Sequence, residues 1–342
     1  MKKAVLILLG LSVVVNMSLY GQSMHFSQYY NAPMLLNPAN TGLTSGYDYR
    51  LGLNYRNQWA ALPVPYNTFS AYGDFKIGGN SNNELHNNWL GAGFALFNDK
   101  AGDGNLSLFN LQGDLAYHLQ LSEFTMVSLG FSGAIVQREV NFDNLTFDGQ
   151  WDGLDFNKAL PNNEKVGIMK TSYYTVGAGI NIAWFPNEAV YGKLGVSVLN
   201  VNKPIESFYG STKNVIDYRP VAHLDMMFHT GPVLVINPSA YYTMQNTAAE
   251  LVVGSQFRTL MTDKNETPVN LILGAYTRIG DAIIGVAGLS FGPVTFMANY
   301  DFTMSGLAPY NGSYGALEFS LVYQRLYHPS EGIKRMVGCP IF

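Results

Sequence analysis

Apolar and polar side chains alternate along many segments of the chain. The clearest case is 47–56, where one set is apolar (Tyr47, Leu51, Leu53, Tyr55) and the other polar or charged (Asp48, Arg50, Asn54, Arg56). Successive side chains of a strand point to opposite faces, so this period predicts a strand with one apolar face. The same period recurs at 109–120, 222–229, 294–303 and 317–324. A helix would instead scatter these charges around its surface.

This pattern predicts about fourteen strands, an even number as single-chain bacterial barrels have. They lie near 47–58, 66–76, 87–98, 105–118, 124–137, 171–185, 190–200, 218–229, 233–244, 247–258, 269–279, 282–291, 293–302 and 313–326. Because lipid offers no hydrogen bonds to a strand edge, strands with a lipid-facing side must close on themselves. The predicted fold class is therefore all-β, a transmembrane outer-membrane antiparallel β-barrel with an aqueous interior.

A soluble β-sandwich is the competing fold, and the composition argues against it. The solvated face of a sandwich should be rich in Lys and Glu, whereas charged residues make up only 13% of this chain, about half of the usual share. The single cysteine, Cys339, cannot form an internal disulfide, so stability must come from a closed sheet or a large core. A net charge of −4 argues against nucleic acid as a partner.

The first residues predict a secretory signal peptide. Lys2 and Lys3 precede an apolar run at 4–15 and a more polar stretch that ends at Gly21. The alternative is a short membrane anchor, but the run is shorter than the ~20 residues that a spanning helix needs. With cleavage after Gly21, we expect a signal peptide at 1–21, an N-terminal periplasmic lead-in at 22–46, the barrel at 47–327 and a C-terminal periplasmic tail at 328–342.

Connection lengths predict the orientation of the barrel, because bacterial barrels have short periplasmic turns and longer outer loops. The two longest predicted connections, 138–170 and 201–217, are the fifth and the seventh. Both face outward if the N-terminus is periplasmic. The second and tenth connections, around 78–86 and 259–268, are longer than this rule prefers.

The lead-in combines aromatic residues with two Asn/Pro breaks, so it is neither a strand nor a regular helix. It must lie at the periplasmic mouth or fold into the lumen. It either packs against the barrel or forms a contact surface for a periplasmic partner. Its candidate partner-binding residues are His25, Phe26, Tyr29, Tyr30, Asn37 and Pro38.

The fifth connection contributes two further candidate partner-binding residues, Trp151 and Phe156. Their aromatic side chains favour an ordered contact over a mobile tether. This loop either folds inward as a plug or projects as a receptor for exported cargo. The charged positions on inward faces either line a diffusion channel or pair across the lumen: Arg50, Arg56, Asp74, Lys76, Asp114, Glu250 and Arg258.

The sequence predicts no catalytic site, no metal site and no cofactor. His223, Asp225 and His229 share an inward row, but a rise of about 3.3 Å per residue puts the two histidines roughly 20 Å apart. They cannot ligate one metal ion at that separation. A phosphate-binding loop, an HExxH motif and a nucleophile elbow are also missing from the sequence.

Several short segments, in order along nearly the whole mature chain, carry a family resemblance. They are 25–42 (HFSQYYNAPMLLNPANTG), 55–59 (YRNQW) with 63–66 (PVPY), 97–102 (FNDKAG), 300–303 (YDFT) and the closing Cys339 and Pro340. Together they resemble the PorP/SprF family of type IX secretion membrane proteins. Ile341 departs from the pattern, where a basic or aromatic residue is expected.

The resemblance implies a cell outer membrane protein of the Bacteroidetes type IX system, a docking or anchoring factor rather than the translocation pore. The implied partners are exported cargo proteins with C-terminal secretion signals, such as gliding adhesins, together with periplasmic components of the machine and outer-membrane lipid. A non-enzymatic role is expected. The alternative function is a passive porin or small-molecule transporter.

Overall fold

The computed structural model describes residues 26–44, 46–62, 64–78, 88–102, 106–142, 145–161, 167–262 and 268–327. Fourteen antiparallel strands follow one another around a closed barrel, and the first pairs with the last. The predicted fold class is therefore confirmed. The predicted signal peptide at 1–21, the tail at 328–342 and His25 lie outside the described residues.

The strand bounds agree with the predicted ones to within a few residues. The strands are β1 (Tyr49–Gln58), β2 (Tyr66–Ile77), β3 (Trp89–Ala101), β4 (Leu106–Ser122), β5 (Thr125–Asn141), β6 (Ile168–Asn187), β7 (Val190–Leu199), β8 (Arg219–Thr230), β9 (Leu234–Gln245), β10 (Ala248–Thr262), β11 (Val269–Arg278), β12 (Ala282–Phe291), β13 (Val294–Thr303) and β14 (Tyr314–Arg325). Short helical turns lie at Tyr29–Asn31, Pro33–Leu36, Pro38–Asn40, Asp148–Gln150 and Ala308–Asn311. In the described part of the chain, no helix has the length and apolarity to span a membrane.

The alternating apolar and polar residues of the sequence form the outer and inner faces of the barrel wall. In β1, Leu51 and Tyr55 are exposed on the outside, while Asn54 and Arg56 are buried in the lumen. The exposed apolar faces form the surface that meets hydrocarbon, as an outer-membrane barrel requires.

The inner face is not polar throughout, and the prediction of an aqueous interior is wrong for one sector of the wall. Ile272, Ile284 and Met297, on β11, β12 and β13, are buried inside the barrel against Tyr29 and Leu36 of the lead-in. Both faces of this sector therefore meet apolar groups. The cause is that a segment of the chain itself, rather than water, occupies this part of the lumen.

Strands β4, β5 and β6 extend further than predicted, with 17, 17 and 20 residues, whereas crossing a bilayer takes about 9–11. The predicted loop 138–170 was too long by a few residues at each end, since Arg138 pairs with Thr171 and Glu139 with Lys170 in the β5–β6 ladder. These polar residues belong to the ends of strands that extend beyond the hydrocarbon. There both faces of a strand meet water, so a run of polar residues does not show that the strand has ended.

We call the barrel end with the odd-numbered connections the outer end, following the connection-length rule, and the other end the inner end. The lead-in was predicted to lie either at the periplasmic mouth or in the lumen. Its residues 26–44 lie in the lumen. Ser27 contacts Glu318 near the outer end of β14, and Gly42 contacts Asp74 near the inner end of β2. The chain therefore passes through the lumen from the outer to the inner end before it enters β1.

The lipid-facing surface can be tested at Leu115, which lies near the middle of β4 and is 65% exposed. We expect Leu115→Arg to lower the free energy of unfolding by about 2–4 kcal/mol, the cost of an arginine at the bilayer midplane. Leu154→Arg is the control, since Leu154 lies in the fifth connection and is 88% exposed. Urea titration in phospholipid vesicles measures both, and unchanged stability of Leu115→Arg would show that this face does not meet hydrocarbon.

Candidate functional site

Residues 26–44 form the luminal plug, a run of three short helical turns. Pro33 and Pro38 begin the second and third turns, where a missing N–H costs nothing. The Asn37 side chain caps the third turn by accepting a hydrogen bond from the Ala39 nitrogen at 2.9 Å. The two Asn/Pro breaks of the sequence thus fold this segment into compact turns that fit inside the barrel.

The outer end of the plug is held by the buried charge cluster, which comprises Arg56, Glu250, Arg278, Asp301 and Glu318. Glu318 accepts hydrogen bonds from the backbone N–H groups of Ser27 at 2.9 Å and Gln28 at 2.8 Å. Arg56 contacts Glu318 at 3.0 Å and Asp301 at 3.1 Å, and no more than 2% of any of these three side chains is exposed.

Arg278 connects this cluster to the neighbouring strands. It lies 3.3 Å from Asp301, 3.4 Å from Glu250 and 2.9 Å from Asp281. The Ser27 hydroxyl donates to Asp301 at 2.6 Å and accepts from Arg278 at 2.7 Å. Buried charges are tolerated only when they are paired and hydrogen-bonded. Here Ser27 supplies part of that pairing, so the cluster is complete only with the plug in place.

Aromatic side chains hold the middle of the plug. Tyr29 stacks on Tyr241 with ring centroids 5.2 Å apart, and its hydroxyl donates to Ser239 at 2.7 Å. Tyr30 stacks on Tyr276 at 5.7 Å. Such pairs contribute about 0.5–1.5 kcal/mol beyond the apolar area that they bury.

Asn37 is fully buried and connects the plug to β6 and β8. Its side-chain nitrogen donates to Asn181 at 2.8 Å and lies 3.3 Å from His223 Nε2. His223 Nδ1 lies 3.1 Å from Asp225, which also pairs with Lys193 at 3.3 Å. The inward row of histidine and aspartate thus contacts the plug. Within the described ranges, no group of three or more His, Cys, Asp or Glu side chains is placed to hold a metal ion.

At the inner end, the plug backbone is held by side chains of three adjacent strands. The Gly42 nitrogen donates to Asp74 at 2.8 Å, and the Gly42 oxygen accepts from Trp89 Nε1 at 2.9 Å. His118 Nε2 lies 2.8 Å from the Thr41 oxygen. These contacts fix the inner end of the plug to β2, β3 and β4.

Plug and wall also touch directly at two glycines. A Cβ at Gly91 would lie 1.9 Å from the Thr41 oxygen, and a Cβ at Gly130 would lie 2.2 Å from the Ala39 nitrogen. Only a residue without a Cβ permits such an approach of two backbones. Gly133, on the same strand as Gly130, has no atom within 4 Å of such a Cβ.

In the described part of the chain, six of the seven charged inward positions that the sequence singled out, all except Arg258, make side-chain contacts rather than lining an open channel. Arg50 pairs with Asp74 at 2.9 Å, and the Lys76 ammonium lies 4.3 Å from the centroid of the Trp89 ring. Asp114 accepts a hydrogen bond from Gln112 at 2.9 Å. Arg56 and Glu250 belong to the buried charge cluster. These contacts support pairing over an open channel, but the paired groups lie on the same or nearby strands rather than across the lumen.

The candidate partner-binding residues fall into two separate groups. Those of the lead-in lie in the plug: Phe26, Tyr29, Asn37 and Pro38 are buried and Tyr30 is half-buried. Phe26 packs edge-on against Phe97 of β3, with ring centroids 5.8 Å apart. Partner binding by these residues stays a prediction, and they are covered while the plug is seated.

Trp151 and Phe156 are 50% and 44% exposed. They face each other across a β-bridge, with ring centroids 5.0 Å apart. The Asp152 carboxylate accepts the backbone N–H groups of Asp155 and Leu154, and these hydrogen bonds hold the pKa of Asp152 below its usual range. The described part of this loop is thus ordered by its own contacts and exposed, which supports projection over an inward fold.

A cavity of about 650 Å³, the outer chamber, lies between the plug and the outer end. Leu35 of the plug and Phe97 of β3 line its lower part, and the seventh connection, 200–218, contributes Glu206. Glu206 pairs with Arg138 of β5 at 3.0 Å, so this connection is tied to a strand two positions from β7 in the barrel. Ligand sites are typically about 300–1,000 Å³.

Sequence reasoning missed most of the buried charge cluster and the whole outer chamber. A signal for the cluster existed, because Arg56 and Glu318 occupy inward positions at similar depth on the two strands that close the barrel, and they are direct partners in the register. The chamber has no such signal. Its volume depends on how far the plug rises and how the seventh connection folds.

Comparisons with known proteins place this architecture. A family described as "Type IX secretion system membrane protein PorP/SprF" matches residues 18–323. The toluene transporter TbuX of Ralstonia pickettii aligns with a TM-score of 0.53 and 10% identity over 87% of this chain and 94% of that chain. A FadL homologue of Pseudomonas aeruginosa aligns with a TM-score of 0.49 and 9% identity over 84% of this chain and 92% of that chain. The CymD monoaromatic hydrocarbon channel aligns with a TM-score of 0.49 and 10% identity over 90% of this chain and 95% of that chain. No curated protein sequence matches.

At 10% identity, the likeness to the toluene transporter shows the fold alone, an outer-membrane barrel. It carries no information on what this chain binds.

The seating of the plug can be tested at Gly130. Gly130→Ala should displace the plug, because the new Cβ would overlap the backbone of Ala39. We expect this variant to conduct ions in planar bilayers where the wild-type barrel is silent. Gly133→Ala is the matched control on the same strand and should stay silent. A silent Gly130→Ala barrel would mean that the plug does not control the path through the lumen.

The buried charge cluster can be tested at Arg56. Arg56→Met leaves Glu318 and Asp301 buried with less compensation, so we expect a loss of about 3–5 kcal/mol in the free energy of unfolding. Lys203→Met breaks a pair with Asp217 that is 46% and 43% exposed, and should cost about 1 kcal/mol or less. Denaturant unfolding of the folded barrel in detergent compares the two. Equal losses would contradict a special role for the buried cluster.

Proposed function

The chain belongs to the PorP/SprF family of type IX secretion membrane proteins, and on this basis we propose that it anchors an exported surface protein at the outer membrane. The cargo, a protein with a C-terminal secretion signal such as a gliding adhesin, would be held at the outer end. Periplasmic components of the secretion machine would engage the inner end. The observation that carries the proposal is a set of exposed apolar side chains on the outer connections, above a filled lumen.

The exposed apolar side chains lie on three different outer connections. Leu154 in the fifth is 88% exposed, Tyr209 in the seventh is 80% exposed and Tyr310 in the thirteenth is 82% exposed. With Trp151 and Phe156 they form what we call the outer loop surface. Large exposed apolar groups outside the membrane are typical of protein-binding surfaces, in which aromatic residues are enriched.

The luminal plug supports anchoring over passive transport. Its hydrogen bonds reach around the wall, from β14 at Ser27, through β9 at Tyr29 and β6 at Asn37, to β2 at Gly42. A solute would therefore have to displace the plug to cross. A large, constant ion current through the wild-type barrel would favour the alternative, a porin or small-molecule transporter.

Burial of the plug limits which residues a periplasmic protein can contact. While the plug is seated, Tyr29 and Asn37 are not available to a periplasmic protein. A periplasmic component would then bind the inner connections or the tail at 328–342, which lies outside the described residues. Contact with the plug residues themselves would require the plug to leave the lumen.

The proposal predicts that deletion of the gene blocks surface display of one specific cargo without stopping general secretion. A chain carrying Leu154→Ser, Tyr209→Ser and Tyr310→Ser should reduce that display at least tenfold while the barrel still assembles, because the cargo loses its apolar contacts. Quantitative proteomics of surface-exposed protein measures the display.

Phe124→Ser is the control for this triple variant, because Phe124 lies in the fourth connection at the inner end and is 48% exposed. It should leave display at the wild-type level. Unchanged display in the deletion strain would count against anchoring altogether. Unchanged display in the triple variant alone would move the cargo contact away from the outer loop surface.

A further inference from the structure

We propose that the outer chamber binds a short extended peptide segment of the exported protein, with an apolar side chain directed toward the plug. This inference rests on the proposed function and deepens it, because it names the part of the cargo that is held and the site that holds it. Three features of the chamber carry it: its apolar base, its polar walls and its position beside the outer loop surface.

The base of the chamber is apolar. Leu35 of the plug, Phe97 of β3 and Val136 of β5 line it. Phe97 is backed by Phe26 of the plug, so the base is a packed surface with fixed shape. Such a surface accepts an apolar side chain, whose burial is favourable by roughly 1.5–3 kcal/mol for a residue of the size of leucine.

The rest of the lining is rich in carboxamides: Asn110, Gln112, Asn200, Asn214, Gln245 and Asn246. A carboxamide both donates and accepts hydrogen bonds, which suits the N–H and C=O groups of an extended peptide. Four of them already use one amide atom within the protein: Gln112 donates to Asp114, Asn214 and Gln245 donate to the backbone oxygens of Glu206 and Asp217, and Asn200 accepts from Thr175. A hydrocarbon would satisfy none of the remaining amide atoms, at a cost of about 1–3 kcal/mol each once water is displaced.

The charged side chains of the chamber have both signs. Arg138 and Arg219 line it together with Asp99, Glu206 and Asp217. A site for a phosphate or another strong anion would need an excess of positive charge. The balance instead fits a peptide, whose backbone is neutral and whose side chains present charges of either sign.

The chamber is continuous with the outer loop surface through the seventh connection. Glu206 lines the chamber, and Tyr209, three residues further along, is 80% exposed. The bridge between Ile205 and Val215 fixes the base of this loop. A protein bound to Tyr209 from outside is therefore held by the same connection that lines the chamber through Glu206.

The test is site-specific photo-crosslinking in cells that express the full chain and its native cargo. p-Benzoylphenylalanine replaces Tyr173 in the chamber, Tyr209 on the outer loop surface or Leu115 on the lipid face. We expect covalent adducts with an exported protein from the first two positions and none from the third. Mass spectrometry of the Tyr173 adduct should identify one short segment of that protein containing an apolar residue.

A second variant fills the chamber. Ala134 lines it and is 7% exposed, so Ala134→Trp should occupy the space near the base and reduce the yield of the Tyr173 adduct at least tenfold. Ala287→Trp, on an exposed outward position of β12, is the matched control and should leave the yield unchanged. Heat-modifiable migration in electrophoresis verifies that each variant forms a barrel.

The outcomes separate this inference from the proposed function. Protein adducts at Tyr209 without any at Tyr173 would overturn the chamber as a peptide site and leave the anchoring role standing. Protein adducts at neither position would overturn both. An adduct of Tyr173 with lipid or saccharide alone, or a full yield in Ala134→Trp, would likewise overturn the peptide assignment.

Discussion

Backbone hydrogen bonding in hydrocarbon is the constraint from which the rest of this structure follows. A strand edge in lipid costs several kcal/mol for each unpaired group, so the sheet closes, and β1 pairs with β14 along its whole length, Tyr49–Gln58. Closure with fourteen strands sets a diameter that the side chains of the wall cannot fill, unlike that of a barrel with about eight strands. The interior must then hold water or another part of the chain. Residues 26–44 occupy part of that space, and the outer chamber remains between them and the outer end.

Two kinds of interaction hold the plug: apolar contacts stabilise it, and the buried charge cluster fixes its position. Burial of Tyr29 and Leu36 against Ile284 and Met297 provides stabilisation that depends little on direction. The buried charge cluster depends strongly on direction, because Glu318 accepts two successive backbone N–H groups, of Ser27 and Gln28. Buried ion pairs are weak evidence for stability, and fixing position is their best-attested role. In this barrel the cluster determines where the plug begins, and the apolar contacts keep it seated.

The fold was predictable from the sequence because the same physical rule applies to every strand. An alternation of polarity marks a wall between two media, and it identified β1, β13 and β14 nearly to the residue. The alternation of polarity is lost where the two media become alike. On β12 both faces are apolar, since Tyr29 packs inside, and at the outer ends of β5 and β6 both faces are aqueous.

The site was less predictable, because it depends on contacts between distant parts of the chain. The lead-in was recognisable as a special segment from its aromatic residues and Asn/Pro breaks, yet nothing local distinguishes a plug from a periplasmic surface. Predicting the outer chamber requires a further step, because the position of the plug must be known first: Leu35 of the plug lines the lower part of the chamber. Arg219 lines the chamber and also donates a hydrogen bond to the Leu35 oxygen at 3.4 Å. A ligand that engages Arg219 competes with this bond, and by linkage any effect of the ligand on plug seating is matched by an equal effect of plug seating on ligand affinity. Arg219 is therefore the side chain through which a ligand in the chamber would be coupled to the seating of the plug.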